Sequence, residues 1–132
     1  LAEAIRNTTK DFLQSYVQAS ATKDMTRLSA QLTPDCARHL GPPYYLVGLG
    51  APPTFTMTNA EYESEFGTME FYTFDSHDLF DLVVDTEKRR SAVRSELNGT
   101  FFDGNSLSRS FVWFLDFNED GTKITQVYQY ND

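Results

Sequence analysis

The chain has 132 residues, enough for one well-cored domain and too few for two. Nineteen acidic residues against eleven basic ones give a formal net charge of −8, and the one basic pair is Arg89-Arg90, so nucleic acid and anionic membranes are not expected as partners. The single cysteine, Cys36, excludes an internal disulfide, and with only two histidines a zinc site is not expected.

A lone thiol points to a reducing, cytoplasmic setting. No run approaches about 18 apolar residues, and the opening LAEAIRNTTKDF has no basic-then-apolar leader pattern. The sequons at Asn7 and Asn98 are expected to be unused. Phe (11) and Tyr (7) are abundant, which fits an aromatic core, a lined cavity or an oligomer contact.

In chain order, Ile5, Phe12, Leu13, Tyr16 and Val17 recur at helical spacings and predict a first helix with one buried face. Met25, Leu28 and Leu32 predict a short second helix over 24–32, ended by the turn residues Thr33-Pro34-Asp35. Residues 36–40 read as a short strand. From Gly41-Pro42-Pro43 to Pro52-Pro53 the chain reads as a loop that shapes a pocket mouth, with Tyr45 lining it. Thr58-Asn59-Ala60-Glu61 is a capping box, with Met57 and Tyr62 placed for a hydrophobic staple, and predicts a third helix through Phe66 and Met69.

Segments 74–84, 92–102, 107–117 and 123–130 are rich in β-branched and aromatic residues. They are separated by turns that include Asp103-Gly104 and Asp120-Gly121. Helices followed by an antiparallel meander define an α+β order in which a curved sheet wraps the helices.

Three stretches carry a resemblance: residues 33–39 (TPDCARH), residues 57–62 (MTNAEY) with Phe66, and the ending from Asp120-Gly121 to Gln129-Tyr130-Asn131-Asp132. With the element order they resemble the nuclear transport factor 2-like (NTF2-like), or SnoaL-like, superfamily. That group includes ketosteroid isomerase, scytalone dehydratase and polyketide cyclases. The stretches resemble most the small fungal members that isomerise meroterpenoids or carry out a semipinacol rearrangement. The resemblance implies a cone-shaped barrel over residues 1–132, N-terminal helices in the concave face of a strongly curved, mostly antiparallel sheet, and a homodimer. It also implies a cofactor-independent isomerase or cyclase acting on a small hydrophobic natural product. Where such proteins often end in a Glu-bearing strand this chain has Gln129, which orients a substrate but takes no proton.

Arg38 is the first candidate for chemistry, as a cation inside an apolar cavity steadying a developing oxyanion; its alternative is a surface ion pair. Its neighbour His39 must point to the opposite face of the strand. His39 and His77 are acid–base candidates by their ordinary pKa, although the acidic surroundings of His77 read as an exposed strand entry. On the third helix Tyr62, Phe66 and Met69 share a face, Tyr62 as a donor to substrate and Glu65 as a base. Arg109, Phe111 and Trp113 fall on one side of the third long segment, 107–117, with Ser110, Val112, Phe114 and Asp116 on the other. Asp116 and Glu96 read as solvated carboxylates. The catalytic set is therefore Arg38, Tyr62, His39 and Glu65. Tyr45, Phe66, Met69, Arg109, Phe111, Trp113 and Gln129 are the substrate-binding set, and no metal or cofactor is expected. A dehydratase would require an inward-facing histidine near a carboxylate, whereas a non-catalytic binding or dimerisation module would show an apolar pocket without convergent ionisable groups.

Overall fold

The computed structural model describes residues 1–50, 55–67 and 72–131, the side chains of 43–45 excepted. Helix α1 spans Ala2–Thr22 and buries Ile5, Thr9, Phe12, Leu13, Tyr16 and Ala19, the face set by the three-and-four spacing. It stops at Lys23, whose left-handed conformation (φ 59°) closes the helix. The predicted second helix is a 3₁₀ turn, Met25–Ser29, capped by Asp24, whose carboxylate accepts from the Thr26 N–H at 3.1 Å.

Strand β1 is longer than expected, Leu32–Gly41. It absorbs the Thr33-Pro34-Asp35 turn at a register shift against β6 between Leu32 and Ala37, where a proline without an N–H breaks no ladder bond. Two further elements appear: helix α2, Pro43–Gly48, inside the Gly/Pro-rich stretch read as loop, and strand β2, Phe55–Met57, just after it. Helix α3, Asn59–Gly67, starts at the predicted capping box. The Glu61 N–H donates to Thr58 Oγ1 at 3.1 Å, and the Thr58 N–H donates to Glu61 Oε1 at 3.0 Å. Met57 and Tyr62, the staple positions, are both buried.

The four long strands follow as read, within two residues: β3 (Tyr72–Asp85), β4 (Arg90–Phe101), β5 (Ser106–Phe117) and β6 (Ile124–Asn131). Gly104 and Gly121 take φ of +90° and +76° in the two Asp-Gly turns, a conformation that favours glycine. The curved six-stranded sheet runs β2-β1-β6-β5-β4-β3 and is antiparallel except for β1 beside β6.

Period-two alternation gives the sheet its two faces. Val93, Ser95 and Leu97, Phe111, Trp113 and Leu115, Val127 and Gln129, and Cys36 and Arg38 are buried on the inner one. Helix α1 packs there, the Phe12 ring edge-on to Trp113 at 5.3 Å. Polar ties fix its position: Thr8 Oγ1 donates to the Gly121 carbonyl (2.8 Å), and Ser20 Oγ accepts the Phe74 N–H (2.9 Å). Gly99 lies at a register shift of β3 against β4, where an added Cβ would stand 2.3 Å from the Thr73 carbonyl oxygen. That close approach requires glycine.

Candidate functional site

Between α1, α3 and the strands lies a cavity of about 530 Å³, within the roughly 300–1,000 Å³ of ligand pockets. Leu40, Phe55, Phe66, Phe74, Leu97 and Phe111 supply much of its apolar wall. Into this wall project the hydroxyls of Tyr16 and Tyr62, the amides of Gln129 and Asn131, the Glu65 carboxylate and the Arg109 guanidinium. Few polar groups aimed into an apolar wall are what fixes a ligand's orientation.

The sequence-predicted residues divide into those the fold brings to this cavity and those it does not. Tyr62, Glu65, Phe66, Arg109, Phe111 and Gln129 line it. Arg38 does not reach its surface: the side chain is fully buried one layer behind, so the expectation of a guanidinium touching substrate is corrected. Trp113 likewise lies in the core beneath the cavity, stacked on Phe111 with centroids 5.0 Å apart. His39 faces the opposite side of the sheet, between Thr56 (3.1 Å) and Gln126 (2.7 Å) and stacked on Tyr128. Strand alternation separates it from Arg38, which removes it from the catalytic set. Met69 and the side chain of Tyr45 lie outside the described residues.

Arg38 is nonetheless joined to the cavity. Its Nη2 donates to the Leu28 carbonyl at 2.7 Å, and its Nη1 donates to Tyr16 Oη at 3.3 Å. The guanidinium carbon sits 3.8 Å from the centroid of the Tyr62 ring and 5.5 Å from that of Phe12, a cation–π arrangement that offsets part of its desolvation. The hydroxyls of Tyr16 and Tyr62 are 2.7 Å apart, and Tyr62 donates to Gln129 Oε1 at 3.2 Å. Because Tyr62 spends its one proton on Gln129, the proton between the tyrosines belongs to Tyr16. The chain of donors therefore runs Arg38, Tyr16, Tyr62, Gln129, and the Gln129 amide passes on to Asn131 Oδ1 at 3.1 Å.

Burial pushes the Tyr62 hydroxyl well above the ordinary tyrosine range, Tyr16 adds to this, and the positive charge of Arg38 opposes it. Tyr62 is thus a neutral phenol at physiological pH, a donor and not a base. Glu65 is the one carboxylate among the described lining residues.

His77 is buried, contrary to the expected exposed strand entry, because a register shift between Phe74 and Ser76 turns it inward. Its Nδ1–H donates to the Leu13 carbonyl (2.7 Å), and Nε2 accepts from Ser95 Oγ (2.8 Å), which in turn accepts the Trp113 indole N–H (2.9 Å). Desolvation drives its pKa down to about 4, so the imidazole is a neutral structural group away from the cavity lining. Cys36 is buried and its thiol is pushed up to about 11 by desolvation, which leaves it un-ionised and a poor nucleophile. Asp116 is paired with Arg90 on the outer face, and Glu96 shares that face by alternation along β4. Among the described residues no group of His, Cys, Asp and Glu is arranged to hold a metal ion.

Tyr16 and Asn131 are the site residues that the sequence did not single out. Tyr16 reads as one more apolar position on α1, and nothing in the spacing shows that its hydroxyl meets another from a helix 46 positions on.

No family model matches the chain, and no curated protein matches its sequence. Solved structures do match. A structure of AusH from Aspergillus nidulans superposes with a TM-score of 0.79 at 20% identity, covering 100% of this chain and 86% of that one. An NTF2-like protein of unknown function from Exiguobacterium sp. 255-15 superposes with a TM-score of 0.63 at 14% identity, covering 95% and 98%. The fold is NTF2-like. The BvnE pinacolase from Penicillium brevicompactum has this NTF2-like fold too, with a TM-score of 0.68 at 16% identity over 96% of this chain and 86% of its own. The α+β order read from the elements and the cone implied by the resemblance are thus confirmed as a fold, and the cavity described above is the hollow of that cone. Among the described residues no helix is long and apolar enough to cross a membrane.

Proposed function

We propose that this NTF2-like chain is a cofactor-independent isomerase or cyclase that rearranges a hydrophobic natural product by acid–base chemistry. The observation that carries the reading is the convergence of a neutral, hydrogen-bonded Tyr62 hydroxyl and the Glu65 carboxylate on one apolar cavity. A structural neighbour named as a pinacolase supports it.

In this reading the aromatic wall holds the substrate in one reactive conformation and excludes water, lowering the entropic part of the barrier. A substrate carbonyl displaces Gln129 from the Tyr62 proton and takes that hydrogen bond itself. Glu65 removes a proton from carbon, charge builds on the carbonyl oxygen, and the Tyr62 donor steadies it. Return of the proton to another position completes an isomerisation with no change in mass. Gln129 and Asn131 orient the substrate, and Arg109 guards the rim.

The dehydratase alternative needs a histidine in the cavity. Neither His39, on the outer face, nor His77, sealed in the core, meets that need. Incubation with a panel of hydrophobic ketones and lactones in D₂O, followed by mass spectrometry, tests the proposal. The expected product has the substrate's composition with deuterium gained at carbon. Loss of water would favour a dehydratase, and tight binding without conversion would favour a binding module.

A further inference from the structure

Arg38 is the one ionised side chain among the described residues that are buried; the other buried polar groups are Thr, Ser, Gln and the neutral His77. No carboxylate among the described residues is paired with it. Its two hydrogen bonds among the described residues go to a carbonyl and a phenol, and its Nε has no hydrogen-bond partner among them. In a chain of net charge −8, acidic side chains are plentiful, yet none of the described ones is paired with Arg38. An uncompensated buried cation is costly and persists only where something offsets it. The Tyr62 and Phe12 rings offset part of the cost. The rest of the arrangement leads outward, through Tyr16 and Tyr62 to the cavity.

We infer that Arg38 is a positioning residue whose charge, relayed through the Tyr16 and Tyr62 hydroxyls, makes the inner end of the cavity a site for an anionic oxygen, so that the natural ligand is a hydrophobic molecule bearing an acidic or readily enolised oxygen. The ligand supplies the counter-charge that the core lacks. Tyr16, accepting from the cationic Arg38, is a stronger donor to Tyr62, and Tyr62, accepting from that polarised hydroxyl, is in turn a stronger donor toward the cavity. This rests on the proposed function for the identity of the site, and it adds the charge of the group bound there.

A matched pair of unreactive probes separates the two ideas: 2-naphthoate and its neutral isostere 2-naphthamide, with affinities measured by calorimetry. The wild type is expected to favour the carboxylate. Arg38→Met should lower the carboxylate-to-amide affinity ratio about tenfold, which is about one pKa unit in equivalent terms. A purely structural role would weaken both probes alike. Should Arg38→Met fail to fold, Tyr16→Phe breaks the relay without removing the charge, and it should lower the ratio in the same direction. Arg109 is exposed at the rim, so its share is removed by salt, whereas the contribution of Arg38 should persist at high ionic strength. An unchanged ratio in both variants, or a wild-type preference that vanishes in salt, overturns the inference and leaves the isomerase proposal standing. If neither probe binds, the cavity reading fails and this inference fails with it.

Discussion

At the residue scale, His77 shows how surroundings decide chemistry. A histidine in an acidic run reads as solvated, but here the side chain is enclosed by Tyr16, Phe111 and Trp113, and burial lowers its pKa from 6.5 to about 4. The unfolded chain therefore binds a proton between pH 6.5 and 4 that the native state refuses. Stability is full above pH 6.5 and falls as pH drops toward 4, by up to about 3 kcal/mol. Urea denaturation at pH 7 and pH 4.5 measures this, and a curve flat across that interval would remove His77 from the account. Arg38 makes the complementary point. Arginine is almost never fully buried without an ion pair, so neither its depth nor its relay through Tyr16 was legible. Strand alternation gave only that it points to the face opposite His39.

At the element scale, structure was legible wherever a local chemical device carried it. The reciprocal bonds of Thr58 and Glu61 hold the start of α3 and so position Tyr62 and Glu65. Thr58→Ala should cost about 1 kcal/mol, measured as a shift in the denaturation midpoint. The Asp-Gly turns likewise marked the meander. Devices that depend on distant strands left no such mark. Helix α2 lies in a Pro- and Gly-rich stretch, and the three-residue β2 just after it exists only because Phe55, Thr56 and Met57 pair with Leu40, His39 and Arg38. Pro34 stayed compatible with a strand because it occupies a register shift. Gly99→Ala, at the close approach to Thr73, should destabilise by about 2 kcal/mol, and thermal unfolding of that variant reads the loss directly.

At the scale of the whole molecule, the sheet's inner face serves twice. One part packs α1 through Phe12, Tyr16 and Trp113; the rest stays open as the cavity. The aromatic excess divides the same way, some rings sealing the core and others, such as Phe66 and Phe111, facing the ligand space. The α+β layout was foreseeable from the order of elements and the cone from the resemblance, but the alternation along β5, apolar on both sides, left open which face would line the hollow. Which tyrosines would share a proton there was not foreseeable, because that depends on how α1 and α3 meet over the sheet. The most direct measurement is single-turnover kinetics of the wild type against Tyr62→Phe, on a substrate identified by deuterium incorporation. The account predicts a rate about 100-fold lower in the variant at saturating substrate, with far-ultraviolet circular dichroism unchanged. Equal rates would contradict it and place the chemistry elsewhere.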